Sequence, residues 1–552
     1  MPSSKLKIAF LIGKNNAHQQ ELIARVCELE GVQTVGVLID TAIPSRQQRS
    51  RNLKRNIRRE GLSYIFFRAI SMIKDRLEAW ADRVIPQNEV EQLLRAAFPE
   101  RGLDRLSQQY GFPVFQAGNL NGETAVQQLQ LLGADLGIVL GTRVLKRLLF
   151  CVPRLGCINL HKGKVPDYRG MPPGFWELYQ GQTSAGVTVH FVDDGLDTGD
   201  VVGRSEVPIH AKETPESLRS KLDAEGIRLL VSVVTQFADG TEVRQPQPAS
   251  AAKTRTRPTR AQQNELARRL PHWRRLGDTR EAIKTALWLV LFHGGWFALL
   301  RWSRKGNSRG AILLYHRVND ISQDVLTCGT RRFAEHLVAL RHYYGVIPTE
   351  EMIERLASRA RIEPTRVAIH FDDCYRDVRT CAAPLLAAAK MPATVFVSSG
   401  FVDTERAFQH DQAKYPHRFE NLRRQDLTGF PALGVEIAAH TVNHVDLGSV
   451  PLAQAQIEVI DSRQQLERLT GRPVLLFSFP FGGIHNIREE VREMVVAAGY
   501  RALFSAHGGI VNKDTSLFDV PRFGVSSDHS ALRLLMELEG ISWQNFRRWL
   551  RL

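Results

Sequence analysis

Short apolar runs alternate with stretches of helical periodicity along most of the chain. Ile8-Ala-Phe-Leu-Ile12 has the length of a strand, His18 to Leu29 repeats apolar residues at helical spacing, and Thr34 to Ile39 reads as a second strand. That order is how an open parallel sheet begins. Phe112-Pro-Val-Phe-Gln116, with Asn119 and Asn121 behind it, and Ala134-Asp-Leu-Gly-Ile-Val-Leu140 continue it. The alternation resumes at Ala311-Ile-Leu-Leu-Tyr-His-Arg-Val318 and runs through Val367-Ala-Ile-His-Phe371, Ala393-Thr-Val-Phe-Val397 and Leu475-Leu-Phe-Ser-Phe-Pro-Phe-Gly-Gly483. Both halves are therefore expected to be α/β.

Two stretches depart from this rhythm. Arg46, Arg49, Arg51, Lys54, Arg55, Arg58 and Arg59 lead into Leu62, Ile65, Phe66, Ile70, Ile73, Leu77 and Trp80 at steps of one, three or four, the pattern of a basic amphipathic helix. Packing on its own domain and contact with a membrane surface both suit it. The second runs from about Gln245 to Gly310. Lys253-Thr-Arg-Thr-Arg-Pro258, Arg268, Arg269, Arg274 and Arg275 precede an uncharged segment, Thr285 to Leu300, that holds Leu287, Trp288, Leu289, Leu291, Phe292, Trp296 and Phe297. It is too short to span a bilayer, is broken at His293-Gly-Gly295, and is closed by Arg301, Arg304, Lys305 and Arg309. Such a segment fits an anionic membrane interface or a helix packed between two domains. The expected organisation is residues 1–245, a basic and aromatic linker over 246–310, and a second domain over 311–552.

Length and charge narrow the classes. A chain of 552 residues suits about two to four domains, and 43% hydrophobic against 24% charged residues argues for packed cores over disorder. The net charge of +15 and a pI near 9.7 call for an anionic partner: nucleic acid, a membrane surface or a phosphate-bearing substrate. The six cysteines form no C-x-x-C pair, so a reducing compartment is expected. The apolar run behind Met-Pro-Ser-Ser-Lys-Leu-Lys is too short for a signal peptide, which points to a cytoplasmic protein.

The chemistry gathers in two places. Val367 to Phe371 is a strand that ends in two carboxylates, Asp372 and Asp373. One can hold a metal while the other takes a proton from a water beside it; a helix cap is the plainer alternative. His440 and His444, four apart, would share a helix face and complete a His2Asp set with Asp373 and an open position for water. In the first half, Asn159 and His161 are two apart on a strand and project to one side, where an amide and an imidazole face one substrate. Asp197 can orient that histidine or raise its basicity.

With Pro166-Asp-Tyr-Arg-Gly170 and Leu196-Asp-Thr-Gly199 added, residues 5 to 240 resemble the folate-dependent formyltransferases. The resemblance implies a Rossmann-like domain that moves a formyl group from 10-formyltetrahydrofolate to an amine, with Asn159, His161 and Asp197 as the catalytic triplet and with Gly141 and Gly195 near the pterin. Gly163-Lys-Val165 stands where the tRNA-acting members have Ser-Leu-Leu, which points toward the branch that acts on sugar amines. Residues 311 to 530 resemble the polysaccharide deacetylases with a NodB-type domain through Phe371-Asp-Asp373, His440-x3-His444 and Phe477-x2-Pro-Phe-Gly482. That resemblance implies a distorted (β/α) barrel, a divalent metal, expected to be zinc, on Asp373, His440 and His444, Asp372 as base and His316 as general acid. Three positions depart from the pattern: Cys374 for glycine, His370 for threonine or serine, and Ser478 for arginine.

Together the halves imply a bifunctional enzyme that removes acetate from an N-acetylated amino sugar, on a nucleotide, lipid or glycan, and then formylates the freed amine. Its place would be surface polysaccharide or glycoconjugate synthesis, peripheral on the inner face of the membrane. Two other readings remain: one half serves as a scaffold or binding module, or the charge serves nucleic acid, as in a tRNA formyltransferase with an extra domain. No RNA-binding motif accompanies the arginines, so nucleic acid is not an expected partner.

Overall fold

In the computed structural model the first apolar run becomes strand β1 (Leu6–Ile12), buried along its length except at Lys7. It is followed by β2 (Val32–Asp40), β3 (Val114–Gly118), β4 (Leu136–Leu140), β5 (Cys157–His161), β6 (Ser184–Phe191) and β7 (Val201–Pro208). They form one sheet in the order β3-β2-β1-β4-β5-β6-β7. Pairing is parallel as far as β5, and β6 and β7 run antiparallel. The strand order turns back between β1 and β4, and open sheets place ligands outside the strand ends at such a reversal. There the two loops touch: Gly13 N–H donates to Leu140 O at 3.1 Å, and a Cβ on Gly13 would lie 2.1 Å from Gly141 O. The structure describes residues 5–541 apart from 44, 62, 99–101, 211–212, 249–251, 271–278, 304–308, 321–324, 361, 363–364, 413–418 and 527–528.

The second sheet contains β8 (Gly310–Tyr315), β11 (Gly345–Val346), β12 (Arg366–Phe371), β13 (Ala393–Val397), β14 (Val435–Ala439), β15 (Leu476–Ser478), β16 (Ala502–Phe504) and β17 (Phe523–Gly524). A ribbon of β9 (Arg317–Val318) and β10 (Thr327–Cys328) stands apart. The order is β16-β15-β14-β13-β12-β8-β17, with β11 on β12, and all its strand pairs are parallel. The sheet curls, and its two faces bury different sets. Leu313, Tyr315, Val367, Ile369, Phe371, Val395 and Val397 join the larger core, while Ile312, Ala368, Phe396, Ala438, Leu476, Ala502 and Phe504 fill the other side. By the two-residue period of strands, Asp372, His440, Ser478 and His316 follow the second set, at or just past the strand ends. His370 lies one layer below Asp372, with Nε2 3.0 Å from Thr349 Oγ1 and its ring against Phe396 and Phe504. A histidine is accommodated there as a buried side chain with a hydroxyl partner.

The chain divides into two units, residues 1–68 with 100–276 and residues 69–99 with 277–552. These boundaries differ from the sequence reading at both ends of the expected linker. Residues 69–99 belong with the C-terminal unit, to whose core they contribute Ala81, Val84, Ile85, Val90 and Leu93. Much of 246–276 belongs to the first unit. Arg255 N–H donates to Arg169 O at 2.7 Å, Met171 N–H to Arg255 O at 3.1 Å, and Trp176 Nε1 to Thr256 O at 3.0 Å, so the basic segment is a strand-like strap on that unit. Trp288, Leu289 and Phe297 are buried in the second unit, which turns inward two of the four aromatic residues of the segment that fits a membrane interface. Arg274, Arg275, Arg304 and Lys305 lie outside the described residues. Among the described residues no single helix is long and apolar enough to cross a membrane, although Ile283–His293 and Trp296–Ser303 meet that test as a pair bent by 60°.

Candidate active sites

The first site lies at the C-terminal end of β5. Asn159 is half-buried and His161 buried. Strand β6 pairs with β5 so that His190 stands opposite Asn159, with Nε2 3.2 Å from Asn159 Nδ2 and 3.5 Å from Asp197 Oδ1. His161 Nδ1 is 3.4 Å from Asp197 Oδ2, and its Nε2 donates to Tyr168 O at 2.7 Å. With Nε2 carrying a hydrogen toward Tyr168 O, a proton taken up by His161 would go to Nδ1, where Asp197 Oδ2 faces it. Burial lowers the His161 pKa below the ordinary histidine value, against the pull of Asp197, so the resting ring is neutral near pH 7. Asp197 is held below the usual carboxylate range: burial alone would raise it, but His190 and His161 outweigh that. Its backbone has φ 56°, and Gly170 N–H donates to Oδ2 at 3.0 Å.

His190 was not identified from the sequence. The signal available was a histidine in an apolar run, Val187-Thr-Val-His-Phe191, and only the β5–β6 pairing gives it a partner. Gly141 follows β4 with φ +61° in the crevice where the sheet order reverses. Gly195 serves the turn that presents Asp197, because its N–H donates to Asp193 Oδ1 and a Cβ would overlap Thr198 Oγ1 at 1.9 Å. Gly163 lets the loop pass His161; a Cβ there would meet Tyr168 O at 2.5 Å and His161 Nε2 at 2.6 Å. Lys164 donates to Ser184 Oγ and Glu206 Oε2 at 2.6 and 2.7 Å.

The second site gathers at the ends of β8, β12, β14 and β15. Asp372 is buried and receives two hydrogen bonds from Arg522, each 2.7 Å, so the arginine missing at Ser478 is replaced in space by one from much later in the chain. Ser478 still reaches Asp372 Oδ1 at 3.4 Å. Burial would raise the Asp372 pKa, but Arg522 and His440 hold it below the usual carboxylate range. Asp373 turns away with φ 79°; both of its oxygens are buried without a hydrogen-bond partner, and His444 Nε2 and His440 Nε2 stand 3.0 and 3.6 Å from Oδ1. One ligand atom from each of Asp373, His440 and His444 lies within 4.8 Å of the others. Two orphaned carboxylate oxygens facing imidazoles fit a divalent cation. His440 Nδ1 is 2.9 Å from Ser478 O, which leaves Nε2 for the ion.

The two histidines are not on a helix. His440 follows β14, and His444 ends a loop in which Thr441 and His444 both have positive φ. Glu458, from helix Leu452–Thr470, fixes that loop by accepting from Val442 N, Asn443 N and Asn443 Nδ2, each at 2.8 Å. His316 follows β8 beside these acids; burial lowers its pKa while Asp373 and Asp372 pull it up. His410, Arg522 and Glu458 were missed in the sequence because none belongs to a spaced motif. His410 Nε2 lies 3.9 Å from Asp373 Oδ2 and 2.8 Å from Tyr375 Oη. Tyr375 donates to Asp411, which pairs with the buried Arg317. A cavity of about 460 Å³ opens beside His444, lined by Phe401, Phe408, Asn443, Phe481 and Asn486. Cys374 is buried, where burial pushes its thiol up, and its carbonyl accepts from Leu422 N–H.

The fold thus presents two clusters: a carboxamide and an imidazole on one strand with a carboxylate from the loop after β6, and a buried His2Asp set with a paired second acid at the ends of the other sheet. Residues 6–234 match the Formyl transferase family model and residues 360–503 match the Polysaccharide deacetylase model. The chain carries one domain of each family, both of them families of enzymes. It is 36% identical over 144 residues to a methionyl-tRNA formyltransferase of Agathobacter rectalis, covering 26% of this chain and 46% of that protein. One from Synechococcus is 36% identical over 149 residues, 27% of this chain and 46% of the relative. The chain thus spans about half the length of these curated relatives. Among solved structures, the deacetylase PplD of Streptococcus pyogenes, in complex with acetate, aligns with 42% of this chain and 99% of its own, at 20% identity and TM-score 0.37. Glycinamide ribonucleotide transformylase 1 of Symbiobacterium toebii aligns with 45% and 96%, at 18% identity and TM-score 0.30.

Proposed function

We propose that the protein deacetylates an N-acetylated amino sugar and then formylates the freed amine. The observation that carries this is the presence on one chain of two complete constellations, one suited to releasing an amine and the other to acylating one. Asp373, His440 and His444 would hold the metal, zinc in this reading, which when bound polarises an amide carbonyl and acidifies water. Asp372, kept ionised by Arg522, takes the proton from the attacking water, and His316 returns a proton to the departing sugar nitrogen. At the other site Asn159 donates to the oxyanion that forms when the amine attacks the formyl carbon of 10-formyltetrahydrofolate. His161, backed by Asp197 and the Tyr168 carbonyl, accepts the proton that the amine must lose. Deacetylation comes first, because the acetylated nitrogen is a non-nucleophilic amide and must be freed as an amine before it can attack the formyl donor.

The test is mass spectrometry of N-acetylated sugar nucleotides and lipid-linked sugars incubated with the full chain. With metal alone the free amine should accumulate; with the formyl donor added, the product should be the N-formyl sugar, one CH2 lighter than the substrate. Formylation of aminoacylated tRNA, the activity that the relatives' name describes, with no sugar product would overturn the assignment.

A further inference from the structure

Several helices carry large apolar side chains on the outside. On helix Ser63–Ala81, Ile65, Phe66, Met72, Ile73 and Trp80 are exposed, and at about 100° per residue these positions fall within one arc of about 120°. Leu77 packs toward the core of the second unit, and Lys74 and Glu78 pair with each other on another side. In the second unit, which takes that helix from residue 69 onward, Ile283 and Val290 are exposed on helix Thr279–His293, and Trp296, Leu299 and Trp302 recur every third residue on helix Trp296–Ser303. Trp288, Leu289 and Phe297 take the inward positions. Trp80 lies flat on His293, ring centroids 5.1 Å apart and planes 8° apart, at the break between these two helices. Beside these core contacts the helices keep several large apolar side chains exposed to solvent.

Directly ahead in the chain is helix Arg46–Glu60, which has no fully buried side chain and is only partly covered at Asn56, Ile57 and Glu60. Its sequence sets Arg51 against Arg55, Lys54 against Arg58 and Arg55 against Arg59 at four-residue spacing, with Arg46 and Arg49 at the positive end of the helix dipole and Glu60 the one acid. Like charges at that spacing, and cations at that end, destabilise a helix unless an anion neutralises them. Ile43 and Leu53 stand exposed among them.

We propose that these helices dock on the surface of an anionic phospholipid bilayer. Nucleic acid would neutralise the arginines and leave the exposed tryptophans and isoleucines in water. A purely apolar protein partner would leave the basic helix unneutralised. Acidic headgroups over an acyl interior satisfy both, since basic side chains meet the phosphates and tryptophan sits at headgroup depth. No sugar or carrier enters this inference, so it stands or falls apart from the proposed reaction.

The test is sedimentation of the full-length protein with vesicles of phosphatidylcholine alone or mixed with phosphatidylglycerol. Binding should require phosphatidylglycerol and weaken as salt is raised. Trp296→Ser/Leu299→Ser/Trp302→Ser and Arg51→Glu/Arg55→Glu/Arg58→Glu should each weaken it about tenfold or more. The circular dichroism of both variants should match the parent, because the replaced side chains are exposed. No binding by the parent at low salt, equal binding to neutral vesicles, or loss of binding only in a variant whose dichroism has collapsed would overturn the proposal. Tight binding of tRNA that the arginine variant loses, with no vesicle binding, would assign the basic helix to nucleic acid instead.

Discussion

Asp372 and Asp373 are neighbours with the same functional group and opposite surroundings. Asp372 receives the two-pronged guanidinium of Arg522, itself wholly buried, whereas Asp373 has two buried oxygens with no hydrogen bond. The first is a charge already compensated and the second a charge that awaits a cation. Removing one partner of a buried ion pair typically costs about 3–5 kcal/mol, so Arg522→Ala should abolish acetate release while Arg522→Lys keeps part of it. In the lysine variant bound metal should stay near the parent's level, measured by elemental analysis, because no ligand has changed. Metal loss equal to the activity loss would show that Arg522 supports the ligand set and not Asp372. The acids at the strand end and Asn159 with His161 were legible because strand periodicity fixes their side. Arg522 was not: it lies about 150 positions from its partner in a segment with no motif.

At the scale of elements, the same spacing can come from different backbones. His440 and His444 are four positions apart, and a helix would bring them together; here a left-handed loop does so, with Thr441 at φ 63° and His444 at φ 55°. Non-glycine residues in that region store strain, so the loop needs support, and Glu458 supplies three acceptor contacts from the neighbouring helix. Glu458→Ala should therefore weaken metal retention about tenfold or more, read as affinity in competition with a chelator, and leave formyl transfer unchanged. Unaltered affinity would mean that the ligands themselves hold the loop. The aromatic segment near Trp288 shows the complementary limit. Composition marked it as apolar between charges, but which side of each helix faced the core depended on packing, and Trp288 and Phe297 turned inward while Trp296 and Trp302 did not.

At the scale of the molecule, the two constellations belong to different units, and the activities should separate. Asp373→Asn should end acetate release and lower bound metal while a supplied free amine is still formylated. Asn159→Ala should lower formyl transfer by about 10²–10³-fold and let the deacetylated amine accumulate. Loss of both activities in either variant would contradict two independent sites. The alternation of strands and helices made both folds readable, yet the boundary between them was not, because residues 69–99 look in sequence like part of the first unit and lend Val84, Ile85, Val90 and Leu93 to the core of the second. That detour has a cost during synthesis. At translation rates of about 5–20 residues per second, roughly ten to forty seconds pass between the emergence of residue 99 and that of β8. Through that interval the first unit can close around its own sheet while a segment destined for the other core waits with its apolar side chains bare, and a ribosome halted in between leaves them exposed to chaperones and proteases.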